Sequence, residues 1–166
     1  MKSRKSRTPL EKSLVGPAGE HFVMYQVHAR GMLAALTPRN LAYADVMTVA
    51  PDGSASALVQ VKARTYGRDG GWHMRDKHET VVFERLFYCF VDFESQPPAT
   101  YIVPSKVVAA ALRESHQVWL SSPPKRGDEP HKDNPMRRIL PRYDFSVTCA
   151  PDGWLDQWKE RWELLA

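Results

Sequence analysis

The stretch "ADVMTVAPDGSASALVQVKAR", residues 44–64, constrains this chain more than any other. Two apolar-rich runs flank Pro51-Asp52-Gly53-Ser54, and Asp-Gly between such runs is a strong hairpin signal. In the second run Val59 and Val61 alternate with Gln60 and Lys62. Successive side chains of a strand point to opposite faces, so Gln60 and Lys62 share one. An even loop centred on Asp52-Gly53 pairs residues whose numbers have a constant sum. Ala50 then faces Ala55, Met47 faces Leu58, and Asp45 faces Gln60. Opposed Cβ atoms lie roughly 4.5–5.5 Å apart, and Lys62 is diagonal to Asp45 at roughly 7–8 Å. An odd loop would scatter the three.

From the residues alone, two readings of this face stay open. A half-exposed hairpin would leave Asp45, Gln60 and Lys62 in water, with Val46, Val59 and Val61 underneath. A site would gather them at a polar mouth beyond Met47, Val49 and Leu58, which share their face.

Around the hairpin the order of elements predicts a mixed sheet. Thr8, Pro9 and Glu11 look like a helix start that stops near Gly16-Pro17. A longer helix is expected over about 17–30, with Glu20 at the end of the stripe Val23, Met24, Val27. A carboxylate there also complements the helix dipole, and taken alone Glu20 needs no other role. A strand follows at about 32–37. Residues 65–75 read as a glycine-containing loop, and "DKHETVVFERL" as a helix of about three turns. "LFYCFVDF", 86–93, is an apolar and aromatic run of strand length broken only by Asp92, hence a central strand. "TYIV", 100–103, is another strand, and a helix from Ser105 follows. Residues 121–138 form a polar loop with four prolines, and "GWLDQWKERWELL" an amphipathic terminal helix. The fold class is α/β (α+β): a central mixed β-sheet flanked by helices. A basic arm and short helix (1–15), a core (16–120), the polar loop (121–138) and an extension packed on the core (139–166) divide one domain of 166 residues.

Composition narrows the function classes. No run of 18 apolar residues exists, so no membrane span is expected. "MKSRKSRTPLEKS" has no apolar segment behind its charges, unlike a secretory signal. Cys89 and Cys149 have no metal spacing and read as free thiols in a reducing, cytoplasmic setting. A net charge of +4 permits a nucleic-acid partner without demanding one.

Gly19-Glu20 in a helix, Asp45 entering a strand, and Gln60-Val61-Lys62 on the next strand together resemble the PD-(D/E)XK nuclease superfamily. Residues 16–64 carry the resemblance, which lies nearest Holliday-junction resolvases and homing endonucleases of that fold. It implies a restriction-endonuclease-like αβββαβ core and an endonuclease hydrolysing DNA with Mg²⁺ or Mn²⁺. Asp45, Gln60, the Val61 carbonyl and Glu20 would hold the metal, and Lys62 would serve the reacting phosphate. Gln60 stands where the commoner pattern has Glu, leaving the site one negative charge poorer. Hence the alternative is a nuclease-fold binding or interaction module that does not cleave; an RNA-directed enzyme is a third class. Arg64, Arg68, Arg75 and Lys77 would form a phosphate-facing rim. Lys125, Arg126, Lys132, Arg137 and Arg138 would clamp a duplex or else be solvated charge. His73 and His78 read as hydrogen-bonded structural histidines. A two-fold dimer would suit cutting two strands.

Overall fold

The computed structural model describes residues 11–38, 41–65, 70–123 and 129–166. The predicted hairpin is its centre. Strand β2 (Val46–Val49) pairs antiparallel with β3 (Ser56–Arg64), with Met47 opposite Leu58 and Val49 opposite Ser56. The loop is even: the Ala50 N–H reaches the Ala55 carbonyl at 2.8 Å. Gly53 takes φ +73°, a left-handed conformation that glycine adopts without penalty. The Asp52 carboxylate accepts the Ser54 N–H at 2.9 Å and closes the turn.

Strand β1 (Leu33–Leu36) adds antiparallel to β2. On the other side β5 (Leu86–Asp92) lies parallel to β3, and β6 (Ala99–Pro104) antiparallel to β5. The sheet order is β1-β2-β3-β5-β6. Every residue of β5 is buried, as a largely apolar run demands of a central strand covered on both faces, and its one charge, Asp92, is paired with Arg64. Helix α1 (Lys12–His28) covers one face, packing Val23 and Val27 against Val59, Val61, Cys89 and Val91. Helix α2 (Ser105–Ser121) covers the other with Val108, Ala111 and Leu112 against Tyr88, Phe90 and Val103. The fold is thus the expected mixed α+β sheet with helices on its faces.

Four elements differ from the sequence reading. α1 is continuous through Pro17 rather than broken there. Proline removes one donor, whose acceptor on the exposed first turn is open to water, while the rest of the helix is seated on β3. The Thr8–Pro9 helix start lies outside the described residues. The glycine-containing segment yields β4 (Trp72–Arg75), which pairs with β7 (Met136–Ile139), a strand that takes up the end of the expected polar loop and runs one residue past it. Trp72 and Ile139 are buried on the α2 side, so packing sets this pair. The expected helix after Arg75 is a single 3₁₀ turn, Asp76–Glu79. The Ser105 hydroxyl donates to the Phe83 carbonyl and accepts its N–H, giving that backbone partners outside a helix.

The terminal helix is likewise replaced by two 3₁₀ turns, Asp156–Trp158 and Trp162–Leu165. Between them Lys159 bridges Tyr101 at the β6 edge. Glu160, at φ 55°, donates its N–H to the Thr100 carbonyl and accepts the Thr100 N–H on its carboxylate. Pairing with a sheet edge overrides helical periodicity there, yet Trp154, Leu155, Trp162 and Leu165 are still buried.

Candidate functional site

β3 runs nine residues and β2 only four, so the Gln60–Arg64 half of β3 has lost its β2 neighbour. Asp45 stands at that divergence. Its backbone is pinned on both sides: its N–H donates to the Val59 carbonyl at 2.9 Å, and its carbonyl accepts the Thr37 N–H at 2.9 Å. The ladder therefore ends at Val46–Val59, with Asp45 and Val46 both set against Val59. This two-against-one arrangement, as in a β-bulge, re-aims the Asp45 side chain along β3. Its Oδ2 accepts the Val61 N–H at 2.8 Å and a short hydrogen bond from Gln60 Nε2. The carboxylate thus replaces the carbonyl that a longer β2 would have offered. The N–H and carbonyl of one strand residue point the same way, so the Val61 carbonyl also faces the open side.

Gln60 is 6% exposed and Lys62 lies on the same face two residues on. Burial pulls the Lys62 ammonium below its usual range, and Lys77 pulls it further; Asp45 and Glu20 oppose both. Glu20 comes from the opposite layer. Gly19 seats α1 directly on β3, where a Cβ would stand 2.6 Å from Ala63 Cβ and 3.3 Å from Val61 Cγ1. That close approach brings the next residue to the sheet's open edge. Burial raises the Glu20 carboxyl above its usual range and Asp45 raises it further, while His21 and Lys62 oppose. The fold therefore brings Glu20, Asp45, Gln60 and Lys62 together, and Glu20 and Lys62 each sense the other and Asp45.

Two residues support this floor without having been singled out. Tyr88 and Phe90 of β5 stand beside Gln60 and Lys62 in the parallel register. The Tyr88 hydroxyl is 2.8 Å from His78 Nδ1, and His78 is buried. Burial, then Lys62 and Lys77, hold His78 neutral, with its pKa down to about 4. Only a polar hydroxyl inside the apolar run 86–93 signals Tyr88 in the sequence.

The oxygen donors suit a hard cation. Among the described residues Asp45 Oδ1 accepts no hydrogen bond, because both donors fall on Oδ2. Glu20 supplies a second carboxylate, the Val61 carbonyl a backbone oxygen, and Gln60 an amide oxygen if its side chain turns. One or two carboxylates with neutral oxygens is the set Mg²⁺ accepts while keeping several waters. Among the described residues no group of three or more His, Cys, Asp and Glu side chains is placed to hold a metal ion. Any metal centre here relies on these mixed donors.

The basic residues divide by location. Arg75 and Lys77 are exposed, and Lys77 Nζ donates to the Ala42 carbonyl at 3.0 Å, close to Asp45 in the chain. Arg64 instead pairs with Asp92 at 2.6 Å and lies 4.5 Å over the Trp72 ring, inside the protein. Arg137 is 8% exposed and bound to Glu79 and to the Asn134 carbonyl, so it ties β7 to the turn after β4 rather than facing solvent. Arg138 is half-buried on β7, opposite His73. Lys132 is exposed beside Glu129. Arg68, Lys125 and Arg126 lie outside the described residues. No described helix is long and apolar enough to cross a membrane.

No family model matches the chain, and no curated protein does. Among solved structures it is similar to a bacterial homing endonuclease, I-Ssp6803I, at 14% identity and a TM-score of 0.49, over 93% of this chain and 90% of that one.

Proposed function

We propose that this chain is a metal-dependent nuclease that hydrolyses DNA phosphodiester bonds at the Glu20–Asp45–Gln60–Lys62 site, as the PD-(D/E)XK resemblance implies. One observation carries the reading. Asp45 is held by Gln60 and the Val61 N–H, while Lys62, drawn out of water on the same face, has no hydrogen-bond partner among the described residues. A structural ion pair would join the ammonium to that carboxylate. A half-buried ammonium that feels Asp45 and Glu20 but donates to neither keeps its hydrogen bonds for an anion.

A divalent cation, Mg²⁺ or Mn²⁺, would supply an activated water and neutralise charge at the phosphate. Asp45 and Glu20 would hold it, with the Gln60 amide oxygen and the Val61 carbonyl completing the protein's share. Lys62 donates hydrogen bonds to the phosphate or the attacking water, meeting negative charge as it develops. Burial first, and the nearby Asp45 carboxylate second, raise the Glu20 carboxyl, and a bound cation would offset the repulsion between the two carboxylates.

The test is cleavage of DNA with Mg²⁺ or Mn²⁺, alongside thermal midpoints with and without metal. Wild type should cut, and metal at about 100 times its Kd should add roughly 2.7 kcal/mol of stability. Asp45→Asn should lose both responses. The amide nitrogen that Gln60 turns to Asp45 favours one rival, a binding module that does not cleave. Tight DNA binding with no cleavage and no metal response in wild type would establish that rival.

A further inference from the structure

We infer that an apolar recess beside this site receives an unstacked nucleobase of the nucleic-acid strand, and so selects single-stranded or opened DNA. The inference rests on the nuclease reading above. The recess has a volume of about 300 Å³ and is lined by Tyr43, Met47, Leu58, Phe83 and Arg85, among others. Met47 and Leu58 are ladder partners on the face that carries Gln60 and Lys62. Each lies two residues from Asp45 or Gln60, about 7 Å along its strand. Tyr43 precedes Asp45 by two residues. The recess therefore lies next to the reactive end of the hairpin, on the side toward the turn.

Its chemistry matches a base. Tyr43 and Phe83 set their rings 5.1 Å apart at 48°, and Phe83 is 51% exposed. Met47, at 43% exposure, offers a polarisable floor. Among the described residues no carboxylate lines the recess, and cations flank it. Lys77 is tied to the Ala42 carbonyl beside Tyr43. On the far side Arg85 is held by the carbonyls of Ser56 and Ala166. An aromatic, acid-free hollow between fixed cations suits a base whose own strand carries phosphates past them. A base inside a duplex must first be unstacked and unpaired, at a cost in free energy, so the recess favours open structures.

The test measures binding of 20-nucleotide oligonucleotides carrying 2-aminopurine, single-stranded and duplex, in EDTA, with the full chain. Phe83→Ala should weaken single-strand binding by about 5- to 150-fold, the usual worth of one base stacked on an aromatic. Duplex binding should change less than twofold. Phe83→Trp should retain single-strand affinity and 2-aminopurine quenching. Phe83→Leu, which keeps apolar area without a ring, should behave like Phe83→Ala. Equal effects on both forms, or none, would overturn the inference while leaving the nuclease reading intact. A wild-type dimer that Phe83→Ala converts to monomer would assign the recess to a second copy and overturn it too. Failure of wild type to bind either oligonucleotide would remove both the inference and the reading beneath it.

Discussion

Gly19→Ala tests whether α1 must touch β3 for the site to form. Its new Cβ would stand 2.6 Å from Ala63 Cβ, where carbon atoms ordinarily meet at about 3.5–4.0 Å. Ala63 has no flexible end to move aside, so the backbones must separate by about 1 Å. Overpacking of this kind costs about 1–3 kcal/mol. Against it stands the helix preference of alanine over glycine, about 0.8–1.0 kcal/mol. Gly16→Ala isolates that term, because a Cβ there meets nothing within 4 Å. Gly16→Ala should leave stability unchanged or raise it by up to about 1 kcal/mol. Gly19→Ala should fall below it by about 1–3 kcal/mol in urea melts. The same displacement carries Glu20 from Asp45 and Lys62, and ~1 Å of misplacement can cost ~100-fold in rate. DNA cleavage by Gly19→Ala should drop at least tenfold, chiefly in kcat. Equal stability of the two variants would refute the close packing. A destabilised Gly19→Ala that cuts at the wild-type rate would refute the role given to Glu20.

Other perturbations separate chemistry from fold. Glu20→Gln should abolish cleavage yet raise the thermal midpoint at pH 7, since the folded protein disfavours this charged carboxylate. A raised carboxyl is destabilising above its folded pKa and neutral below its unfolded one, so the gain should vanish in melts below about pH 4. Gln60→Glu should tighten Mg²⁺ binding in calorimetric titration. Without metal it should lower stability by about 1–3 kcal/mol, because an amide donor to Asp45 becomes a third carboxylate. Arg137→Met should destabilise by about 3–5 kcal/mol in urea melts by leaving Glu79 unpaired, whereas Arg75→Ala should leave stability within about 0.5 kcal/mol.

The sheet was legible where one physical rule acted alone. Asp52-Gly53 fixed the hairpin loop, and strand alternation then placed Gln60 and Lys62 together. The run 86–93, apolar and aromatic except for Asp92, pointed to a central strand. Legibility failed where distant partners compete with local preference. Lys159 and Glu160 pair with the β6 edge against a strong helical pattern. Trp72 and Ile139 join two segments that look like loops because each is short and rich in glycine, proline or charge. At the site, the register came from counting, but the slip at Asp45 did not, since a bulge leaves no mark in residue type. Arg64 and Arg137 read as phosphate contacts because sequence shows a charge and hides the carboxylate that buries it.

Cleavage by wild type and Lys62→Ala, compared on branched, duplex and single-stranded DNA with Mg²⁺ and with Mn²⁺, bears most directly on the central claim. Lys62 acts on the reacting phosphate, whereas grip on the backbone is spread over other basic residues. Wild type should cut at least one of these substrates only when metal is present, and Lys62→Ala should bind that substrate within a few-fold, melt as a folded protein and not cut it. Equal cleavage by the two proteins, or a wild type that binds DNA without cutting it under either metal, would contradict the account.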